Sequence, residues 1–347
     1  MTLILTLLLA ADFVAVNGKP NDAVVADLNR DGRPDLVVTC GDEIVSLLNL
    51  KTGWKEASRL RVPRPPVDLA VEDFDRDGFA DVAVVDHDTF SVLLLLGDGQ
   101  GGWRQGGTFR SKSTGAPHIH GLVARDVNRD GAPDLVVPSS GEGEVIVMLG
   151  DGQGALRPLA PVRVHRNAWY PVAADFNEDG IPDVTVAGLG GDGVVLWLGD
   201  GAGGLKRAAE RPIPVFARPF MWKAADLNGD GHQDLYGVHD DHGRLTVLLG
   251  DGKGGLRQMV GSPFDIGREA YGVQAIDLDG DGRLDIATAA GAELRVFLQQ
   301  KAGGFRGPTV RATGVGSFKM AAADFDGDGR AELAIPDAER GRVTFFR

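Results

Sequence analysis

A net charge of −13 over 347 residues argues against a nucleic-acid partner. A single cysteine, Cys40, excludes an internal disulfide and a cysteine-based zinc site. Hydrophobic residues at 43% provide for a large core, and 50 glycines with 18 prolines mean many turns, which suits short strands better than helices.

Residues 2–9, Thr-Leu-Ile-Leu-Thr-Leu-Leu-Leu, form an apolar run too short for a transmembrane helix. Followed by Ala10-Ala11, it has the core and cleavage region of a secretory signal but no basic residue before it. Two readings stand for residues 1–10: a signal-like segment, or an extra strand or plug. Residues 11–20 align with residues 57–66 of the next unit and read as a strand, so one repeating domain is expected over 11–347.

From there a nine-residue loop recurs seven times, at spacings of 46 to 53 residues. Oxygen-bearing side chains stand at positions one, three, five and nine, with glycine at six. The sets are Asp27, Asn29, Asp31 and Asp35; Asp73, Asp75, Asp77 and Asp81; Asp126, Asn128, Asp130 and Asp134; Asp175, Asn177, Asp179 and Asp183; Asp226, Asn228, Asp230 and Asp234; Asp277, Asp279, Asp281 and Asp285; and Asp324, Asp326, Asp328 and Glu332.

Around each loop the pattern is the same. In the fourth unit, strands are expected over 171–174, 183–187, 193–198 and 205–214, the middle two nearly continuous apolar runs with both faces covered. Turns such as Gly97-Asp98-Gly99-Gln100-Gly101-Gly102 lack the lysine and following helix of a phosphate loop and read as tight hairpins. Four antiparallel strands in seven units predict an all-β, seven-bladed propeller. The chain stops after the third strand of unit 7, so the N-terminal strand is expected to complete that blade and close the ring. An open solenoid is the alternative.

The loop chemistry points to calcium, up to seven ions. Ca²⁺ takes six to eight oxygens from carboxylates, carbonyls and water, and no histidine or cysteine stands at a ligand position to favour zinc or copper. The EF-hand reading fails, because position twelve is Val38, Val84, Val137, Val186, Gly237, Thr288 or Ile335 and never glutamate. The loops carry 24 carboxylates, and seven divalent cations would bring the net charge from −13 to +1. Loops 2 and 6, with four aspartates each, are expected to bind tightest.

These loops resemble the FG-GAP/VCBS repeats of integrin α-chain head domains and of many bacterial extracellular proteins, and a calcium-containing seven-bladed fungal lectin is similar. The resemblance covers residues 11–347. It implies calcium in the hairpin between the first and second strands of each blade. Loops in all seven units favour the bacterial type over an adhesion receptor. A secreted, periplasmic or cell-surface monomer without a transmembrane segment is expected.

Six residues before each loop stand Asn21, Val67, His120, Trp169, Phe220, Tyr271 and Phe318, with Tyr170, Trp222, Arg166, Arg218, Arg268 and Lys319 nearby. Five consecutive rings at the starts of innermost strands would surround the channel mouth opposite the calcium. They suit a carbohydrate or protein ligand, or they pack between blades. His118 and His120, with His165 in the next link, leave room for a metal site, and His239-Asp-Asp-His242 reads as a solvated loop. No catalytic signature is present. The reading is a non-catalytic binding module, against a polysaccharide lyase or hydrolase on the same scaffold, or a structural module of a larger assembly.

Overall fold

A computed structural model describes residues 10–111, 118–164, 167–188, 193–209, 211–239, 242–268, 270–313 and 319–347. The described strands fall into seven antiparallel sheets, and none of the described residues is helical. In blade 2 the order is Pro66–Glu72, Asp81–Asp86, Ser91–Gly97 and Trp103–Arg110. Each acidic loop is the hairpin between first and second strands, as between Pro20–Ala26 and Asp35–Cys40 in blade 1. The first strands touch their neighbours in an unbroken circle that ends with blade 7 against blade 1. They line an axial cavity of about 440 Å³.

Alternation drives the packing. Along Asp81–Asp86, Val82 and Val84 enter a core shared with Val37, Ile44 and Leu48 of blade 1. Ala83 and Val85 enter a core shared with Leu135, Val137 and Ile146 of blade 3. A strand sandwiched between two blades must be apolar on both faces, which is why the middle strands read as continuous hydrophobic runs.

The ring closes as expected. The strand Ala10–Ala15 pairs antiparallel with Arg342–Phe346 and becomes the outer strand of blade 7, with Val14 opposite Val343 and Ala15 opposite Arg342. Val14 and Val16 are buried among residues of blades 7 and 1. Residues 1–9 of the signal-like segment lie outside the described residues, and Ala10, its last residue, opens the closing strand.

Two expectations change. The fourth strand of blade 4, expected over 205–214, is only Leu205–Arg207, followed by an isolated bridge between Ile213 and Val194. Pro212 and Pro214 lack the N–H groups that a continuous ladder needs. The N-terminal strand does not run to Pro20; that residue opens the first strand of blade 1.

Candidate functional site

The seven acidic loops share one wiring. The position-one carboxylate accepts the N–H of the position-six glycine, at 2.9 Å for Asp27 and Gly32 and 2.8 Å for Asp73 and Gly78. Position five accepts the N–H of position seven, as Asp77 does from Phe79 at 2.8 Å. The position-six glycines all have positive φ, between 78° and 90°, a region open to glycine at little cost. Position four is also left-handed. Arg30, Arg76, Arg129 and Glu178 sit there at φ 56–61°, whereas the last three loops use glycine.

Position nine works as a staple. Asp134 accepts Val127 N–H at 2.9 Å on one oxygen and Gly150 N–H at 2.8 Å on the other, tying the loop to the end of the third strand. Asp35, Asp81, Asp183, Asp234 and Asp285 repeat both bonds, and all are buried. Burial raises their carboxyls, only partly opposed by the backbone donors. Asp81, Asp134, Asp183 and Asp234 are pushed up to about 6, and Glu332 to about 7.

Residue type at position three divides the loops. Where it is asparagine, its amide donates to the position-five carboxylate, at 2.8 Å from Asn128 to Asp130 and 2.9 Å from Asn177 to Asp179. Asn29 and Asn228 do the same. Where it is aspartate, the acidic oxygens of Asp73, Asp75 and Asp81, of Asp277, Asp279 and Asp285, and of Asp324, Asp326, Asp328 and Glu332 converge to within 4.8 Å of one another. Guanidinium groups face these sets: Arg104 on Asp75 at 3.0 Å, Arg283 on Asp281, and Arg347 on Asp326 and Glu332. In two of these sets a buried oxygen, on Asp73 and on Asp279, has no hydrogen-bond partner. An orphaned buried acceptor inside a ring of carboxylates is what a hard cation satisfies, so the residues present fit Ca²⁺.

The loops also touch one another. Arg30 donates to the Gly78 carbonyl at 2.6 Å and lies 4.0 Å over the Phe79 ring of loop 2. Arg76 donates to the Asp130 carbonyl of loop 3 at 2.7 Å. Glu178 of loop 4 pairs with His232 of loop 5.

On the other side of the blades, four of the residues counted back from the loops, Asn21, Val67, Phe220 and Tyr271, fall within β-bulges, while Trp169 borders one and His120 precedes its strand. The register slips at Asn21, at Val67 and at Tyr271, and between Trp169 and Val172 and between Pro219 and Trp222. A bulge turns its extra residue out of the strand's alternation, and here it turns rings toward the neighbouring blade. His120 stacks on Trp169 at 3.8 Å and 11°, Trp169 meets Phe220 at 5.2 Å, and Phe220 meets Tyr271 at 5.6 Å. Tyr170 joins Phe220 at 5.1 Å. One run of rings thus crosses blades 3 to 6. His120, Trp169, Tyr170 and Tyr271 are half-buried, and Arg218 and Arg268 are exposed. Phe220 and Trp222 are buried and support the run from within, Trp222 packing where a Cβ on Gly237 would collide with it. Phe318, His165 and Arg166 lie outside the described residues.

The axial cavity carries charge. Lys319 Nζ is 2.7 Å from Asp22 and also bonds Asp68. Burial holds Asp22 above the ordinary carboxylate range against the pull of Lys319. Lys223, bonded to Gln274 at 2.5 Å, is pushed down to about 8 by burial, and Tyr170 is pushed up to about 12.

Histidines depart from the sequence reading. His239 is no solvated loop residue: it ends the buried strand Asp234–His239 and bonds Thr246 Oγ1 at 2.8 Å and the Ala217 carbonyl at 3.0 Å. His118 and His120 meet His87, a partner from blade 2 that is 31 residues away in sequence and that no spacing rule selects.

The FG-GAP-like repeat signature matches residues 73–137, 126–186, 175–237, 226–288 and 277–335. Each match opens on the first aspartate of a loop and ends in the second strand of the next blade. No curated protein matches the chain in sequence. Among solved structures, BBS1N in complex with ARL6DN is similar with a TM-score of 0.68 at 14% identity, over 98% of this chain and 97% of that one. An Agrocybe aegerita lectin that recognises non-reducing terminal N-acetylglucosamine reaches 0.60 at 20% identity, over 86% and 81%. A protein from Lactobacillus plantarum reaches 0.63 at 15% identity, over 85% of each chain. At these identities the likeness is one of fold.

Proposed function

The chain belongs to the FG-GAP-like repeat family, and from that premise we propose that it is a calcium-stabilised, non-catalytic recognition module acting outside the cytoplasm. Its acidic loops hold Ca²⁺ through positions one, three, five and nine. Bound calcium supplies the positive charge that lets those carboxylates stay ionised close together. The ions shape the hairpins and leave recognition to the opposite side of the blades.

The observation that carries this reading is the run His120–Trp169–Phe220–Tyr271 across four consecutive blades, in which His120, Trp169 and Tyr271 are half-buried and Phe220 supports them from within. Flat ring faces stack on the apolar face of a sugar, and the exposed guanidinium groups of Arg218 and Arg268 supply hydrogen bonds to hydroxyls or carboxylates. A carbohydrate is therefore the ligand class, and the fold of the N-acetylglucosamine-specific lectin supports the choice. The test is a glycan array with calcium present, followed by tryptophan fluorescence titration with the best glycan. Trp169→Ala should weaken binding at least tenfold. Normal binding by that variant would remove the site. A silent array with capture of a defined protein would move the ligand class, and release of unsaturated sugars would make the module an enzyme.

A further inference from the structure

We propose a second metal site, chemically unlike the acidic loops: a three-histidine centre for Zn²⁺ formed by His87, His118 and His120. His87 lies in the turn after the second strand of blade 2, Asp81–Asp86, and the other two lie in the segment leading into the first strand of blade 3, Val123–Arg125. Each offers a ring nitrogen, and the three nitrogens lie within 4.8 Å of one another. Nitrogens bound to one tetrahedral Zn²⁺ at about 2.0–2.1 Å stand about 3.3 Å apart, so the three need to approach by no more than about 1.5 Å.

Ring orientation supports convergence. The centroids are separated by 4.4, 5.0 and 4.7 Å, with interplanar angles of 58°, 79° and 60°. The rings are tilted against each other and not stacked in parallel. His120 Nε2 is buried and has no hydrogen-bond partner, and a buried polar atom without a partner needs a reason.

The backbone holds the three side chains in place. Ile119 N–H donates to the His87 carbonyl at 3.4 Å, Ser140 N–H to the His118 carbonyl at 3.0 Å, and Tyr170 N–H to the His120 carbonyl at 3.0 Å. The segment is thereby tied to blades 2, 3 and 4, and Ile119 is buried between the two histidines. Two outer contacts complete the arrangement. Asp88 Oδ1 lies 2.8 Å from His87 Nδ1, the carboxylate–histidine pairing that orients a ligating imidazole and fixes its tautomer. Trp169 stacks on the ring of His120 and limits its rotation.

Three imidazoles without a carboxylate ligand select a borderline d-block cation over calcium, which takes oxygen. Three protein ligands leave the fourth tetrahedral position for water or for a donor atom of a bound molecule. The site shares His120 with the ring run, but its ligand set does not rest on the glycan reading and stands even if no glycan binds there.

The experiment uses the full chain, stripped with chelator and then saturated with Ca²⁺ to fill the oxygen sites. Zn²⁺ is titrated against a competing chelator, and Co²⁺ is titrated by visible absorption. One Zn²⁺ per chain should bind in the presence of excess Ca²⁺, and Co²⁺ should show the intense d–d bands of a tetrahedral site. His118→Asn should weaken Zn²⁺ binding by about a hundredfold or more and abolish the Co²⁺ bands. Asp88→Asn, on an exposed turn, should weaken it by about 10- to 100-fold. His87→Gln, also half-exposed, supplies a ligand deletion should His118→Asn fail to fold, judged by circular dichroism. Absence of Zn²⁺ binding, full displacement by Ca²⁺, or unchanged affinity in a folded ligand variant would overturn the assignment.

Discussion

Lys319→Met removes the cation that bridges Asp22 and Asp68 in the axial cavity while keeping most of the side chain's length. The lysine side chain is 15% exposed, and the carboxylates it faces are 3% exposed on Asp22 and 11% on Asp68. Lys223, Arg125 and Tyr170 also line the cavity, but Lys223 donates to Gln274. Deleting one partner of a buried charge cluster costs about 3–5 kcal/mol, because the remaining charges are left uncompensated. At roughly 2 °C per kcal/mol for a chain this long, the drop in Tm is about 6–10 °C at pH 8. The pH dependence supplies the sharper check. Asp22 is already above its ordinary range with Lys319 present, and without the lysine its folded carboxyl rises further. Folded variant then binds more protons than unfolded chain between the unfolded pKa of about 3.9 and the raised folded value. Its stability must therefore increase as pH falls through that window, and Asp22→Asn added to Lys319→Met must recover part of the loss at pH 8. Thermal unfolding by circular dichroism at pH 8 and pH 5, with calcium constant, measures both. A loss below about 1 kcal/mol, or the same loss at both pH values, would show that the three side chains do not act as a buried charge cluster.

Three further outcomes are expected. Chelation should lower Tm relative to calcium buffer, since one site at a hundred times its Kd contributes about 2.7 kcal/mol; superimposable melting curves would refute calcium stabilisation. Asp134→Ala leaves the Val127 and Gly150 N–H groups without their acceptor and should cost about 2–6 kcal/mol in urea unfolding, at about 1–3 kcal/mol per buried orphan; a loss under 1 kcal/mol would dismiss the staple. In calcium titrations by calorimetry, the loops with four carboxylates should fill before those with asparagine at position three, and Asp279→Asn should remove one of the early-filling sites; an unchanged isotherm would sink that order.

Much of this architecture was legible because it is repetitive. The period of the Asp-x-[Asp/Asn]-x-Asp-Gly loop gave the blade count, and apolar runs such as Val82–Val85 marked strands covered on both faces. What escaped is what depends on contacts between blades. Whether a ring at a bulge faces solvent or core depends on the neighbouring sheet, so Phe220 and Tyr271 look alike in sequence but only Phe220 is buried. His87 joins His118 and His120 through the juxtaposition of blades 2 and 3. The dual bonding of position nine was hidden for a different reason. A ligand pattern specifies that an oxygen is present, and not which amide already occupies it. Pro212 and Pro214 interrupt the expected fourth strand because neither can donate to a ladder, and an alternating pattern does not register a missing donor.

The closing strand has a mechanical consequence. Ala10 pairs with Phe346, and Ala15 pairs with Arg342, so the two strands run away from a common end at which one begins and the other finishes. A force applied through Ala10 and Phe346 loads that end first and peels the ladder one bond at a time, instead of shearing all its bonds together. The blades further in, each a continuous stretch of chain, bear no load until this seam has opened. The propeller therefore yields at one predetermined place, and a tether on both ends would convert modest tension into an opened ring with six blades intact.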